Sequence, residues 1–203
     1  MSCRMVIFDL DGVLVDACDW HREALNMALF KVSNYKISPK EHYETFNGIP
    51  TKVKLGKLTE MKIIEAEDHQ MIYDLKQRYT IDMIEQNAGV RQEKIEMIQT
   101  LKQKGLIVAC YTNSIRKTAE LMLKKTGIYH LFDRVLTNQD VYKPKPDPAG
   151  YNFLMFYYDI NPSDTFIVED SPKGIKAATE SGANLLIVQN PDDVNIELFK
   201  EIL

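Results

Sequence analysis

Hydrophobic residues in this chain form two kinds of pattern, short continuous runs and helical repeats. Five apolar runs are too short for helices and are predicted to be buried parallel strands. These runs are residues 6–8, 106–111, 134–137, 166–168 and 185–188. Helical repeats separate the last four runs, and strands that alternate with helices predict an α/β fold with a doubly wound parallel sheet.

Residues 17–86 lie between the first predicted strand and the rest and show helical repeats without a convincing strand. Ser38, Pro39 and Glu41 carry a helix start signal, with Ser38 as the N-cap and Glu41 closing a capping box. A longer helix is predicted from Glu65 to about Ile84, with Met71, Ile72, Leu75, Tyr79 and Met83 facing inward. The chain is therefore predicted to have a core domain, residues 1–16 and 87–203, and an inserted helical domain, residues 17–86.

Composition limits the classes of partner. The chain has 203 residues, of which 45% are hydrophobic and 27% charged, as in ordinary globular proteins. A net charge of −4 argues against nucleic acid or an anionic membrane as the partner, but allows a small anion at a locally positive site. No apolar stretch reaches the roughly 20 residues of a membrane span. The 3 cysteines follow no disulfide or zinc spacing, which favours reduced thiols and a cytoplasmic location.

Polar residues follow the predicted strands where each one ends. Asp9 and Asp11 come after the first strand, where Gly12 permits a sharp turn. The carboxyl ends of parallel strands meet at one edge, which is where α/β proteins bind ligands. Two carboxylates about 4 Å apart repel by roughly 4 kcal/mol at an effective dielectric near 20, so they require a cation or a shared proton. Hard oxygen ligands favour Mg²⁺.

Four motifs in order carry a resemblance to a known family. They are Asp-x-Asp-Gly at residues 9–12, Thr-Asn-Ser at 112–114, Lys-Pro-x-Pro-Asp at 143–147 and Val-Glu-Asp-Ser-Pro at 168–172. Together they resemble the haloacid dehalogenase-like (HAD) hydrolase superfamily over nearly the whole chain. The resemblance implies a Rossmann-like core, and residues 17–86 are similar to the family's small α-helical cap, which selects the substrate.

The resemblance also implies roles for the first and last motifs. Asp9 would be the nucleophile that forms an aspartyl-phosphate, and Asp11 would act as general acid and then as general base. Mg²⁺ would be held by Asp9, the backbone carbonyl of Asp11 and Asp170. Glu169 would be either a direct ligand or a partner of the ligands.

Phosphate binding is implied for the two middle motifs. Thr112, Asn113 and Lys143 would hold phosphoryl oxygens, and Lys143 would also offset the acids. The family spacing places the functional lysine four residues before Asp147, so Lys145 is predicted to be a solvated neighbour.

In the cap, four residues are candidates for contact with substrate. His21 lies ten residues after Asp11 and either orients it, contacts substrate or is a surface histidine. Gly48, Thr51 and Lys52 belong to a predicted loop and the helix start that follows it.

The sequence leaves three functions open. The first is a Mg²⁺-dependent phosphatase of a small phosphorylated metabolite such as a sugar phosphate or a phosphoglycolate-like acid. The second is a sugar phosphomutase of the β-phosphoglucomutase type, which the chain resembles in its first motif and His21. That pattern has an arginine where this chain has Thr51, which favours the phosphatase. The third is a non-catalytic binding protein. A dehalogenase would lack an acid at position 11. A monomer or weak homodimer is expected.

Overall fold

A parallel sheet forms the centre of the larger part of the protein. The computed structural model describes residues 3–203, with the backbone alone at Tyr43. The strands are β1 (Met5–Phe8), β2 (Ile107–Tyr111), β3 (Arg134–Leu136), β4 (Thr165–Glu169) and β5 (Asn184–Ile187). They pair in parallel in the order β3-β2-β1-β4-β5. The predicted doubly wound parallel sheet is confirmed.

β1 occupies the middle of the sheet because its residues are apolar and fully buried. Its last residue, Phe8, is in register with Cys110 of β2 and Val168 of β4. The register places Asp9, Tyr111 and Glu169 side by side, one residue further along each strand. The carboxyl edge of the sheet therefore begins with two acids on neighbouring strands.

The first four helices belong to the inserted segment, and the last four belong to the part of the chain that contains the sheet. They are α1 (Cys18–Ser33), α2 (Pro39–Glu41), α3 (Thr51–Glu60), α4 (His69–Asn87), α5 (Gln92–Gln103), α6 (Arg116–Lys125), α7 (Ala149–Tyr157) and α8 (Pro172–Glu180). Both faces of the sheet are covered. On one face, Ile7 belongs to an apolar cluster with Tyr151 of α7 and Ala177 of α8. On the other, the Phe8 ring packs edge-on against Phe199 at 5.8 Å between centroids.

The chain divides into two compact units. One unit is Met1–Asp16 with Gly89–Leu203, and the other is Ala17–Ala88. The second junction lies two residues after the boundary expected from the sequence. In residues 3–203, no helix combines the length and apolar character that crossing a membrane requires.

The smaller unit is helical and has an apolar core of its own. That core contains Leu25 and Leu29 of α1, Leu58 of α3 and Ile72 of α4. Hydrophobic residues repeating at three- and four-residue intervals place these side chains on the inner faces of their helices.

Two local predictions in this unit have different outcomes. The capping box is confirmed, since Ser38 Oγ accepts the Glu41 N–H at 3.2 Å and Glu41 Oε2 accepts the Ser38 N–H at 3.3 Å. The helix it starts is short and continues as a π-helix, His42–Phe46. The inward placement of Met71 is wrong, because this side chain is 50% exposed. Ile72 and Leu75 define the inner face of α4, and Met71 is about 100° away from Ile72 around the helix.

Candidate active site

A tight turn after β1 separates Asp9 from Asp11. Gly12 has φ 88°, a left-handed conformation that favours glycine. The Gly12 N–H donates to the Val15 carbonyl at 2.8 Å, and the Leu14 N–H donates to the Leu10 carbonyl at 2.9 Å. Asp9 is 7% exposed at the strand end, whereas Asp11 is half-buried. The two carboxyl groups therefore have different surroundings despite their spacing of two residues.

Asp11 is held by hydroxyl groups from the end of β2. Thr112 Oγ1 donates to Asp11 Oδ2 at 3.1 Å, and Ser114 Oγ donates to the same oxygen at 2.8 Å. The Thr112 hydroxyl also accepts the Ser114 N–H at 2.9 Å. Thr112 and Ser114 thus orient the Asp11 carboxyl group. Thr112 was predicted to bind phosphate, and Ser114 was not among the predicted site residues.

The lysine beside Asp9 is Lys145. Its ammonium group is fully buried and lies 2.9 Å from Asp9 Oδ1 and 2.5 Å from Glu169 Oε1. Lys143 instead has a side chain 65% exposed, and its Nζ is 3.8 Å from Asp147 Oδ2. The prediction that Lys143 acts in the site and that Lys145 is a solvated neighbour is therefore wrong.

Asn113 explains which lysine enters the site. Its amide Nδ2 donates to the Lys145 carbonyl at 3.0 Å, and its Oδ1 accepts the Lys145 N–H at 3.0 Å. This two-way pairing fixes the backbone of residue 145 against the end of β2, so the side chain of that residue reaches Asp9. Asn113 was predicted to bind phosphate, but its side chain is engaged in holding the lysine loop.

Glu169 is surrounded by hydrogen-bond donors. Its Oε1 accepts from Lys145 Nζ at 2.5 Å and from the Tyr151 hydroxyl at 2.7 Å. Its Oε2 accepts the Asp170 N–H at 3.1 Å and both the N–H and the hydroxyl of Ser171 at 3.4 Å. The residue is 0% exposed. Of the two roles considered for Glu169, this arrangement favours a partner that holds Lys145 over a direct metal ligand.

A group of three acids has the dimensions of a cation site. Oxygen atoms of Asp9, Glu169 and Asp170 lie within 4.8 Å of one another. Within residues 3–203, the buried Asp170 Oδ1 has no hydrogen-bond partner. Because Glu169 is already occupied by donors, Asp9 and Asp170 are the acids that fit a divalent cation. The carboxylate chemistry suits Mg²⁺.

The acids and the lysine shift one another's ionisation. Burial raises the pKa of Asp9 well above its usual value against the lowering effect of Lys145, and the charges of Glu169 and Asp170 raise it further. Burial, followed by the charge of Glu169, raises the pKa of Asp170 to about 7. Burial acts to lower the pKa of Lys145, but Asp9 and Glu169 together raise it well above the usual value. Lys145 therefore stays protonated, while Asp9 and Asp170 require an additional cation to be ionised together.

The cap candidates lie within the helical unit. His21 is half-buried on α1, and its Nδ1 is 3.1 Å from the buried Lys76 Nζ of α4. Gly48 has φ 71° in the loop before α3, and Thr51 is the first residue of that helix. Lys52 is exposed. Whether these residues contact substrate stays a prediction.

Sequence reasoning missed Tyr151 as well as Ser114. The residue before Tyr151 offers a partial signal, because a Cβ atom at Gly150 would lie 2.3 Å from the Tyr111 ring. A glycine inside an aromatic helix therefore indicates close packing against the sheet. The hydrogen bond from Tyr151 to Glu169 depends on the packing of α7 and has no signature in the sequence.

The family profile described as haloacid dehalogenase-like hydrolase matches residues 6–188. A phosphorylated carbohydrates phosphatase from Thermotoga maritima is 27% identical over 182 residues, covering 87% of this chain and 81% of the relative. A phosphoglycolate phosphatase from Haemophilus influenzae is 29% identical over 191 residues, covering 88% of this chain and 82% of the relative.

Solved structures share the fold. β-Phosphoglucomutase from Clostridium difficile superposes with a TM-score of 0.83 at 20% identity, covering 98% of this chain and 96% of that one. A predicted phosphoglycolate phosphatase from Haemophilus somnus gives a TM-score of 0.76 at 24% identity, covering 91% and 84%. These identities are too low to carry more than the architecture.

Proposed function

The chain belongs to the haloacid dehalogenase-like hydrolase family, and we propose that it is a Mg²⁺-dependent phosphatase of a small phosphorylated metabolite. The observation that carries this proposal is the buried Asp9 carboxyl group held 2.9 Å from the Lys145 ammonium. A nucleophilic carboxylate next to a fixed positive charge suits attack on a phosphoryl group, whose oxygens are anionic.

In the proposed reaction, Asp9 attacks phosphorus and forms an aspartyl-phosphate while the bond to the leaving alcohol breaks. Asp11 donates its proton to that alcohol. As a carboxylate, Asp11 then takes a proton from a water molecule, which attacks the acyl phosphate and releases inorganic phosphate with Asp9 regenerated. The hydroxyl groups of Thr112 and Ser114 hold the Asp11 carboxyl group in one orientation through both steps. The Lys145 ammonium remains protonated and stabilises negative charge beside Asp9.

Asp9 and Asp170, with the Asp11 carbonyl that the family resemblance implies, would hold Mg²⁺. When bound, the ion offsets the charges of the two acids and polarises the phosphoryl group. Asp170 suits this role because its buried Oδ1 lacks a hydrogen-bond partner within the described residues 3–203. The Lys145 ammonium offsets the charges of Asp9 and Glu169. The net charge of the site therefore depends on both Mg²⁺ and Lys145.

Phosphorylated sugars and phosphoglycolate-like acids are the proposed substrates. The relatives named for phosphorylated carbohydrates and for phosphoglycolate each match more than four-fifths of this chain, at 27% and 29% identity. Both names describe phosphorylated small metabolites. The net charge of −4 makes a polyanionic partner unfavourable and leaves such metabolites acceptable where the Lys145 ammonium and a bound cation offset the acids.

A sugar phosphomutase is the second candidate. The half-buried His21, which supports the resemblance to that type, is paired with Lys76 at 3.1 Å. Thr51 stands where the mutase pattern has an arginine for the second phosphate, and this difference favours hydrolysis over transfer. A non-catalytic binding protein is disfavoured, since burying Asp9 with Lys145 costs desolvation that binding at the surface would not require.

The test is phosphate release by the purified protein from a panel of sugar phosphates, phosphoglycolate and an aryl phosphate. We expect turnover with Mg²⁺ and none with a chelator. Interconversion of glucose 1-phosphate and glucose 6-phosphate is assayed in parallel, and isomerisation without net phosphate release would replace the phosphatase by the mutase. No turnover of either kind, together with metabolite binding, would support the non-catalytic alternative.

A further inference from the structure

Tyr151 contributes a donor to the site from outside the four motifs. It lies in α7 and is 0% exposed, and its hydroxyl donates to Glu169 Oε1 at 2.7 Å. That same oxygen accepts from the Lys145 ammonium at 2.5 Å. Tyr151 and Lys145 therefore share one carboxylate oxygen of a fully buried residue.

The ring of Tyr151 is held in place on two sides. It packs edge-on against the Tyr111 ring, with centroids 5.0 Å apart and an interplanar angle of 87°. The Lys145 Nζ lies 4.8 Å from the Tyr111 centroid and 5.2 Å from the Tyr151 centroid. Gly150 permits this approach, since a Cβ atom there would lie 2.3 Å from the Tyr111 ring. Packing of the ring therefore holds the Tyr151 hydroxyl in position to donate to Glu169.

Glu169 is fixed from its other side by α8. A Cβ atom at Gly174 would lie 1.9 Å from Glu169 Oε1, so the helix approaches the carboxylate as closely as a glycine allows. With Oε2 held by the backbone N–H groups of Asp170 and Ser171, the carboxylate cannot rotate without losing several bonds. Oε1 has two donors, the Lys145 ammonium and the Tyr151 hydroxyl.

Asp9 Oδ1 and Glu169 Oε1 both accept hydrogen bonds from the Lys145 ammonium, at 2.9 Å and 2.5 Å. A second donor on Glu169 Oε1 withdraws charge from that oxygen and weakens its hold on the lysine. Without the Tyr151 hydroxyl, the attraction of Glu169 for Lys145 would increase and would draw Nζ away from Asp9. We propose that Tyr151 is a positioning residue of the phosphatase: through Glu169, it sets how far the Lys145 ammonium is directed to Asp9 and the phosphoryl group. This inference rests on the proposed function.

The test compares kcat and KM of the parent, Tyr151→Phe, Glu169→Gln and the double variant on an aryl phosphate at saturating Mg²⁺. Tyr151→Phe keeps the ring and removes only the hydroxyl group. We expect its kcat to fall about 10-fold to 100-fold, as for other partners of active-site groups, with KM changed less than kcat. In the Glu169→Gln background, the same substitution is expected to cost much less, because Tyr151 acts through the charged carboxylate.

Tyr158→Phe is the matched control. Tyr158 directly follows α7, is half-buried and packs its ring edge-on against Tyr157, with centroids 4.9 Å apart. Its variant is expected to match the parent in kcat. Urea unfolding of every variant, with the assay kept at urea-free conditions, separates a loss of folded protein from a loss of kcat.

Two results would overturn the inference. One is a Tyr151→Phe enzyme with parental kcat. The other is the same fold-loss in the parent and in the Glu169→Gln background, since that would make the effect of Tyr151 independent of Glu169. A parent without phosphatase turnover would instead refute the proposed function, and the inference with it, before any variant is compared.

Discussion

Substituting methionine for each of the two neighbouring lysines distinguishes the structural assignment from the one suggested by motif spacing. Methionine keeps an unbranched side chain and removes the charge. Lys145 is 3% exposed and contacts two carboxylates, whereas the side chain of Lys143 is 65% exposed and lies 3.8 Å from Asp147. The two substitutions thus remove the same chemical group from a buried and from a solvated position, two residues apart.

The expected magnitudes differ widely. Removing one partner of a buried ion pair destabilises proteins by about 3–5 kcal/mol, while an exposed pair contributes about 0–1 kcal/mol. Lys145→Met should therefore unfold at clearly lower urea concentration, and Lys143→Met should unfold as the parent does. Loss of a fixed charge next to the reacting group should lower kcat by about 10²–10³ in Lys145→Met.

The stability deficit of Lys145→Met should also depend on pH. Lys145 lowers the pKa of Asp9 against the effect of burial, so its removal raises that pKa further. A carboxyl group whose pKa is raised on folding loses stability as pH rises through the folded value. The deficit should consequently be larger at pH 8 than at pH 5 when both proteins are unfolded in urea with a chelator present.

The outcome that would refute this reasoning is the reverse pattern. If Lys143→Met loses kcat while Lys145→Met retains both kcat and stability, the lysine of the site is the one that motif spacing suggests. Equal stability of Lys145→Met and the parent at pH 8 would contradict the buried ion pairs themselves.

Three further predictions concern the acids and the cap. Asp9→Asn should abolish turnover while leaving the fold intact, because an amide of similar size lacks the anionic oxygen; measurable kcat in the folded variant would refute the covalent route. Burial raises the pKa of Asp170 to about 7, so the metal-free parent should lose stability as pH rises from about 4 to 7. Asp170→Asn should then be more stable than the parent at pH 8, by up to about 4 kcal/mol in chelator, and equal urea midpoints would count against the shift. Thr51→Ala and Lys52→Ala should change the ranking of metabolites more than aryl phosphate turnover; a uniform loss across substrates would place these residues in the chemistry instead.

The local pattern of hydrophobic and polar residues was sufficient to predict the sheet and the position of the acids at its carboxyl edge. Apolar runs too short for helices predicted all five strands of the sheet to within one residue at each end. Because parallel strands share a direction, their carboxyl ends had to meet, and this brought Asp9 and Glu169 to one edge. The inserted helical segment likewise followed from its periodicity, although the phase of α4 was misjudged at Met71.

The choice of lysine and the contacts of Glu169 were decided only by tertiary structure. Lys143 and Lys145 lie in the same proline-rich loop and have the same local chemistry, and the family spacing selected Lys143, the exposed one of the two. The separation comes from Asn113, 32 residues before Lys145, which pairs with its backbone.

The contact between Tyr151 and Glu169 also depends on tertiary structure. Its hydroxyl reaches Glu169 because α7 packs against the sheet, and Gly150 lets that helix approach Tyr111. A sequence determines which side chains can ionise or donate hydrogen bonds. Their partners and burial depend on contacts between distant segments, and in this site those contacts set the ionisation of Asp9 and Lys145.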